Sequence, residues 1–144
     1  MRGIPGSGKS TYARRVMKKF KGIFKKEATI CSADHFFIGK DGIYKYDREN
    51  IGLAHAVCQR NVVSFMSKGF DLIILDNTNT IKKELNPYIE MANKYGYTIR
   101  YKIVGGQSEE DIKKYAARNI HGVNEETIKK MAQRLASSLK LKEI

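Results

Sequence analysis

The chain has no tryptophan, only two cysteines and two prolines, and 15 acidic residues against 27 lysines and arginines over 144 positions. Cys31 and Cys58 make neither a disulfide framework nor a zinc site, so stability has to come from an apolar core. That cysteine usage fits a reducing, intracellular compartment. No apolar run approaches the length that crosses a bilayer, so no membrane role is expected. A signal peptide is not expected either, because motif residues begin at Gly3. Internal repeats, low-complexity tracts and Pro/Gly/Ser-rich linkers are also missing. The length then suits a single domain, 1–144, built on one core.

The shortage of acid leaves a net charge of +12. Nine of the first 26 residues are Lys or Arg, and the first carboxylate is Glu27. A surface of that sign attracts polyanions, of which nucleic acid is the common one. A lysine-rich solvated surface is the plainer reading of the same numbers. Charge alone would confer no sequence specificity.

Glycine, by contrast, is concentrated where it counts. Gly3-Ile4-Pro5-Gly6-Ser7-Gly8-Lys9-Ser10, with Thr11 after it, is the G-x-x-x-x-G-K-S phosphate-binding loop. Its glycines let backbone N–H groups turn inward around a phosphate chain. Lys9 would place a point charge at the β/γ-phosphates, and the Ser10 hydroxyl would ligate Mg²⁺. Only Met1 and Arg2 precede the loop, where a buried strand is usual. The first strand is therefore expected to be truncated here, with the natural chain continuing upstream.

Downstream, apolar runs alternate with helical patterns, which predicts an α/β domain with a parallel sheet. A helix is predicted over Thr11–Phe20, then a strand over Ala28–Ser32 and a loop over His35–Tyr46. Asp47 is a candidate N-cap for a helix reaching about Lys68, which Gly69 ends. Phe70–Asp76 is the clearest strand, and about Ile81–Tyr95 reads as a helix with Pro87 near a start or a kink. Thr98–Val104 reads as a further strand. Ser108 to Asp111 forms a capping box for a helix through Asn119, and Asn124 caps a last one.

Phosphoryl transfer needs phosphate cradling, Mg²⁺ positioning, an aligned acceptor and cations at the moving group. Asp76, closing the aliphatic run Leu72-Ile73-Ile74-Leu75, is the Walker-B-like carboxylate that would orient Mg²⁺. Asp34 follows the earlier strand and is the candidate general base for an acceptor hydroxyl. A hydrolase would need only a water-positioning residue there. Arg118 precedes a helix break and is the candidate lid arginine, within a lid-like segment of about 109–123. His121 would either touch phosphate or cap the helix.

The stretches Gly3–Thr11, Ser32-Ala33-Asp34-His35-Phe36, Leu75-Asp76-Asn77-Thr78-Asn79 and Arg118-Asn119-Ile120-His121-Gly122-Val123 occur in this order. Together they resemble the polynucleotide 5′-kinase-like P-loop kinases, within the AAA-type ATPases of the P-loop NTPase superfamily. The likeness runs to about Leu135. It implies a three-layer sandwich with a parallel sheet of about four strands in the order 2-3-1-4. Strand 1 would be the stub at Met1, with helices on both faces. It also implies use of ATP and Mg²⁺, with Asp34 as base and Arg118 in the lid. Asn77, Thr78 and Asn79 would line the acceptor side. Phage 5′-kinases carry an arginine three residues after the base, where this chain has Phe37. Phe37 could stack on a base beside Phe36, Tyr44 and Tyr46, though at least two of these four are expected in the core.

The leading expectation is an ATP-dependent kinase acting on a hydroxyl of RNA or DNA, at a 5′ end. A small-molecule or nucleoside kinase is the enzyme alternative. An ATP-binding interaction module or slow ATPase, within a protein with further domains, is the alternative from another class.

Overall fold

Helix α1 (Lys9–Phe24) starts inside the phosphate-loop motif in the computed structural model, which describes residues 1–140. Gly8, its N-cap, sits at φ 94°, in the left-handed region that a β-carbon disfavours. The helix therefore opens at Lys9 rather than Thr11, so that Lys9 and Ser10 ride on its first turn. Its inner face buries Ala13 and packs against strands β1 (Ala28–Cys31) and β2 (Leu72–Leu75). These two strands pair in parallel, from Ala28 opposite Leu72 to Cys31 opposite Leu75.

After β1 the chain makes a short 3₁₀ turn, Ala33–Phe37, capped by Ser32, whose hydroxyl accepts the Asp34 N–H at 3.2 Å. This turn occupies the start of the predicted loop. Asp47 does act as a cap, but of a second 3₁₀ turn, Arg48–Asn50, which runs directly into α2 (Ile51–Ser67). Ala54, Cys58, Val62 and Met66 line the buried side of α2 at helical spacing. Helix α3 (Lys82–Tyr95) carries Pro87 inside it and ends at Gly96. Helix α4 (Glu109–Arg118) opens with the predicted box: Ser108 N–H to Asp111 and Asp111 N–H to the Ser108 hydroxyl, both 3.1 Å. Asn124 accepts the Thr127 N–H at 2.9 Å and caps α5 (Glu125–Lys140).

The predicted strand Thr98–Val104 is not one. Only Ile103 forms a bridge, an isolated parallel one with Arg2, through Arg2 N–H to Lys102 O and Val104 N–H to Arg2 O, both 2.8 Å. A ladder needs a partner of matching length, and the neighbouring backbone is the short Met1–Gly3 segment. Two described strands thus form a ladder, against the about four expected. Met1–Gly3 still bonds to both sides. The Met1 amine donates to Leu75 O at 2.9 Å and Gly3 N–H to Thr78 O at 3.0 Å.

Apolar burial falls into two clusters. One gathers Cys31, Ala33, Phe37, Ala54, Cys58, Val62, Met66 and Ala92. The other joins Ile4 of the phosphate loop to Ile112 and Tyr115 of α4 and to Ile128, Ala132 and Leu135 of α5. No helix among the described residues is long and apolar enough to cross a membrane.

Candidate nucleotide and acceptor site

The phosphate loop is held from below and from above. Ile4 is fully buried, Pro5 is buried beside it, and Ser7 N–H closes a turn onto Ile4 O at 3.2 Å. Gly6, at φ 79°, lies so close to α4 that a β-carbon would stand 2.6 Å from Tyr115 O. Arg118 reaches back from the end of α4 and donates Nε–H to Gly6 O at 2.7 Å, its guanidinium stacked on Tyr115. The Ser7 hydroxyl is buried without a partner, whereas Thr11 faces solvent.

Lys9 donates from Nζ to Ile4 O at 3.0 Å. Burial pushes its ammonium below the ordinary lysine range, while the charges of Asp76 and Asp34 pull the other way. Lys9 therefore sits within the field of both carboxylates. Ser10 Oγ donates to Asp76 Oδ2 at 2.6 Å, and the buried Asp76 Oδ1 has no partner. A buried carboxylate oxygen left unpaired is costly unless something fills the place. A hydroxyl and a carboxylate oxygen are the hard donors that Mg²⁺ takes. No cluster of three or more His, Cys, Asp or Glu among the described residues would hold a metal alone. A cation here fits only with phosphate oxygens and water completing its shell.

Asp34 lies at the end of the neighbouring strand with its side chain 44% exposed. Tyr44 OH donates to Oδ1 at 3.2 Å, and His121 Nε2 stands 3.5 Å from Oδ2. The Tyr44 and His121 rings touch, with centroids 4.4 Å apart. Burial, then the Asp34 charge and hydrogen bond, raise the Tyr44 phenol far above its usual range, so Tyr44 stays a donor. His121 thus meets the Asp34 carboxylate, not the phosphate loop, and its buried Nδ1 has no partner. Asn119 sets this up: its side chain bonds Tyr115, Ala116 and Val123 carbonyls and the Val123 N–H, between 2.9 and 3.3 Å.

Three expected acceptor-side residues are placed differently. Phe37 is 5% exposed and packs among Phe36, Tyr44 and Tyr46, so its ring is spent on the core, while Phe36 and Tyr46 are exposed. Asn77 is buried, accepting Ala33 N–H at 2.8 Å and reaching Cys58 Sγ at 3.7 Å. It braces the Asp34 turn. Asn79, at φ 47°, donates to Met1 O at 2.8 Å and is buried too. Thr78 is half-buried, its carbonyl taken by Gly3. Both buried asparagines thus spend side-chain hydrogen bonds on the protein itself, on Ala33 N–H and Met1 O.

The sequence reading missed Arg2, fully buried, which donates to Asn79 O at 2.8 Å, Thr80 O at 3.0 Å and Ser138 Oγ at 2.7 Å. It also missed Tyr44 and Asn119 as supports of the site. The spacing of Arg118, Asn119 and His121 was visible, but no sequence signal says which groups they meet.

The profile of the AAA domain family matches residues 1–137. The chain belongs to this AAA domain family. Human NEDD4-binding protein 2 is 33% identical over 133 residues, 92% of this chain and 7% of that protein. The 2',3'-cyclic-nucleotide 3'-phosphodiesterase of Pongo abelii is 35% identical over 103 residues, 69% of this chain and 22% of that protein. The chain therefore spans less than a quarter of these relatives' lengths. Among solved structures, one of the Pnkp1/Rnl/Hen1 RNA repair complex matches 97% of this chain and 44% of its own, with TM-score 0.73 and 18% identity. This AAA domain thus shares the fold of the matched chain of that complex.

Proposed function

We propose that this domain transfers the γ-phosphate of ATP, with Mg²⁺, to a hydroxyl of a nucleic acid, at a 5′ end. The observation that carries the reading is the second carboxylate. Asp34 stands half-exposed past the end of β1, the strand paired with the one Asp76 follows, within the field of Lys9 and held by Tyr44 and His121. A nucleotide switch has no use for a buttressed, accessible base at that place, whereas a kinase does.

ATP would supply the phosphoryl group, and Mg²⁺ held at Ser10 and Asp76 would offset its charge. Lys9 would leave Ile4 O to bind the phosphates, with the loop N–H groups of Gly6, Ser7 and Gly8 around them. Arg118, now tied to Gly6 O, would exchange that carbonyl for a phosphate oxygen. Asp34 would take the proton of the acceptor hydroxyl as its oxygen bonds to the γ-phosphorus, while the bond from that phosphorus to the β-phosphate oxygen breaks and ADP leaves. The name of the 2',3'-cyclic-nucleotide 3'-phosphodiesterase suits a nucleotide acceptor. The sheet would be completed, in the order 2-3-1-4, by Met1–Gly3 and 102–104.

The test is transfer of labelled γ-phosphate to 5′-hydroxyl RNA and DNA, with Lys9→Ala and Asp34→Asn alongside. Asp34→Asn is expected to keep ATP affinity and lose about 10²–10⁴-fold in transfer. Wild-type protein that binds ATP and labels no 5′ end overturns the proposal. It would favour the ATP-binding module, a reading that the apolar Phe37 in place of an arginine also supports.

A further inference from the structure

Helix α1 carries an open groove away from the phosphate loop, lined by Arg14, Arg15, Lys18, Lys19, Gly22 and Ile23. Several features of this face work against the helix that bears it. Arg14 and Lys18, and Arg15 and Lys19, are like charges one turn apart, which destabilises a helix. No acidic residue occurs on α1, and the ion pairs among the described residues are His121–Asp34 and Lys130–Glu126. None of the four groove cations is therefore neutralised from within. Gly22 adds a second cost, since a glycine inside a helix is entropically unfavourable. Packing does not require it: a β-carbon there would meet nothing within 4 Å. Its lack of a side chain leaves the groove floor open to something approaching from outside. Ile23, 61% exposed, forms an apolar lip at the far end.

We infer that this groove is a binding surface for the sugar-phosphate backbone of single-stranded nucleic acid, separate from the catalytic centre. Two rows of cations about 5–6 Å apart offer successive phosphates a partner. Gly22 lets the backbone lie close, and the exposed Ile23 side chain gives an unpaired base an apolar contact. Such a lip suits a single strand, whose bases are free, better than a duplex, whose bases are stacked inside. The groove begins little more than a turn past Lys9, so a strand bound there lies on the helix that carries the phosphate site. The contacts are to phosphates and to the apolar face of a base, so binding tolerates any sequence.

The inference shares with the proposed function only its nucleic-acid partner, and the experiment separates the two. Binding of a labelled single-stranded oligoribonucleotide is followed by fluorescence anisotropy over a salt series, without ATP or Mg²⁺. The full chain is compared with its R14Q/R15Q/K18Q/K19Q variant. All four positions are exposed, so the variant should fold, and unchanged ATP binding checks this. Four lost phosphate contacts should lower the slope of log K against log salt by about 3, at about 0.7 per contact for a single strand. Affinity should fall at least tenfold. Transfer to a nucleoside 3′-monophosphate, too short to reach the groove, should be unchanged, so loss of kinase activity and loss of the groove read out separately. Equal slopes for the two proteins overturn the inference. So does tighter binding of wild type to phosphatidylserine vesicles than to the oligonucleotide, which would assign the groove to an anionic membrane surface.

Discussion

Asp34 has two carboxylate oxygens and two neighbours, Tyr44 on one and His121 on the other, and this fixes which way it can face. A base that must meet a hydroxyl within hydrogen-bond reach gains from having its rotamer set beforehand. His121 holds Asp34 through Nε2 alone, and the two residues come from distant parts of the chain. His121→Ala should therefore lower kcat for transfer about tenfold, equivalent to about 1.4 kcal/mol, while leaving the ATP dissociation constant unchanged. Glutamine places an amide N–H near the position of Nε2, so His121→Gln should recover most of the rate. A merely structural histidine would not show that rescue. A fall in ATP affinity matching the fall in rate would instead return His121 to the phosphates.

At the scale of elements, a strand's sequence and a strand's partner carry different information. Leu72–Leu75 was legible because four aliphatics in a row, ended by Asp76, suit a strand covered on both faces. The same logic located Asp34 after Ala28–Cys31, and the stripe on α2 was legible from helical spacing. Thr98–Val104 alternates well enough for a strand, yet pairing depends on the length of a neighbour the alternation does not reveal. Phe37 and Arg2 escaped for a related reason. Burial is decided by what surrounds a residue, and an arginine reads as surface until its partners are known. Those partners make Arg2 a cross-tie from the Met1–Gly3 segment to the Asn79–Thr80 turn and to Ser138 on α5. Arg2→Met would keep volume but leave two carbonyls and a hydroxyl without that donor. A loss of about 2–4 kcal/mol in urea unfolding is expected, since hydrogen bonds to a charged group contribute about 1.5–3 each at most. A change under about 0.5 kcal/mol would mean that water replaces the guanidinium.

Across the whole molecule, the two apolar clusters divide the chemistry between them. The cluster of Ile4, α4 and α5 holds the phosphate loop and presents Arg118. The cluster of β1, α2 and α3 holds Phe37 and Ala33, and with them the turn that carries Asp34. The contact of His121 with Asp34 and Tyr44 closes the seam between them. Weakening one cluster should then impair one function more than the other. Leu135 is fully buried in the α5 cluster, and Leu135→Ala should cost about 2–5 kcal/mol through the cavity it leaves. Local opening of α4 and α5 would draw Arg118 away from the loop and strip Ile4 of its packing. ATP affinity should fall, with faster amide exchange over 109–140. Val62→Ala, in the other cluster, should speed exchange over 51–67 and lower transfer to an acceptor while ATP affinity stays near wild type. Calorimetric ATP binding and hydrogen exchange on the two variants measure this directly. Equal losses of ATP affinity in both would show the clusters to open as one cooperative unit, and the division of labour would fail.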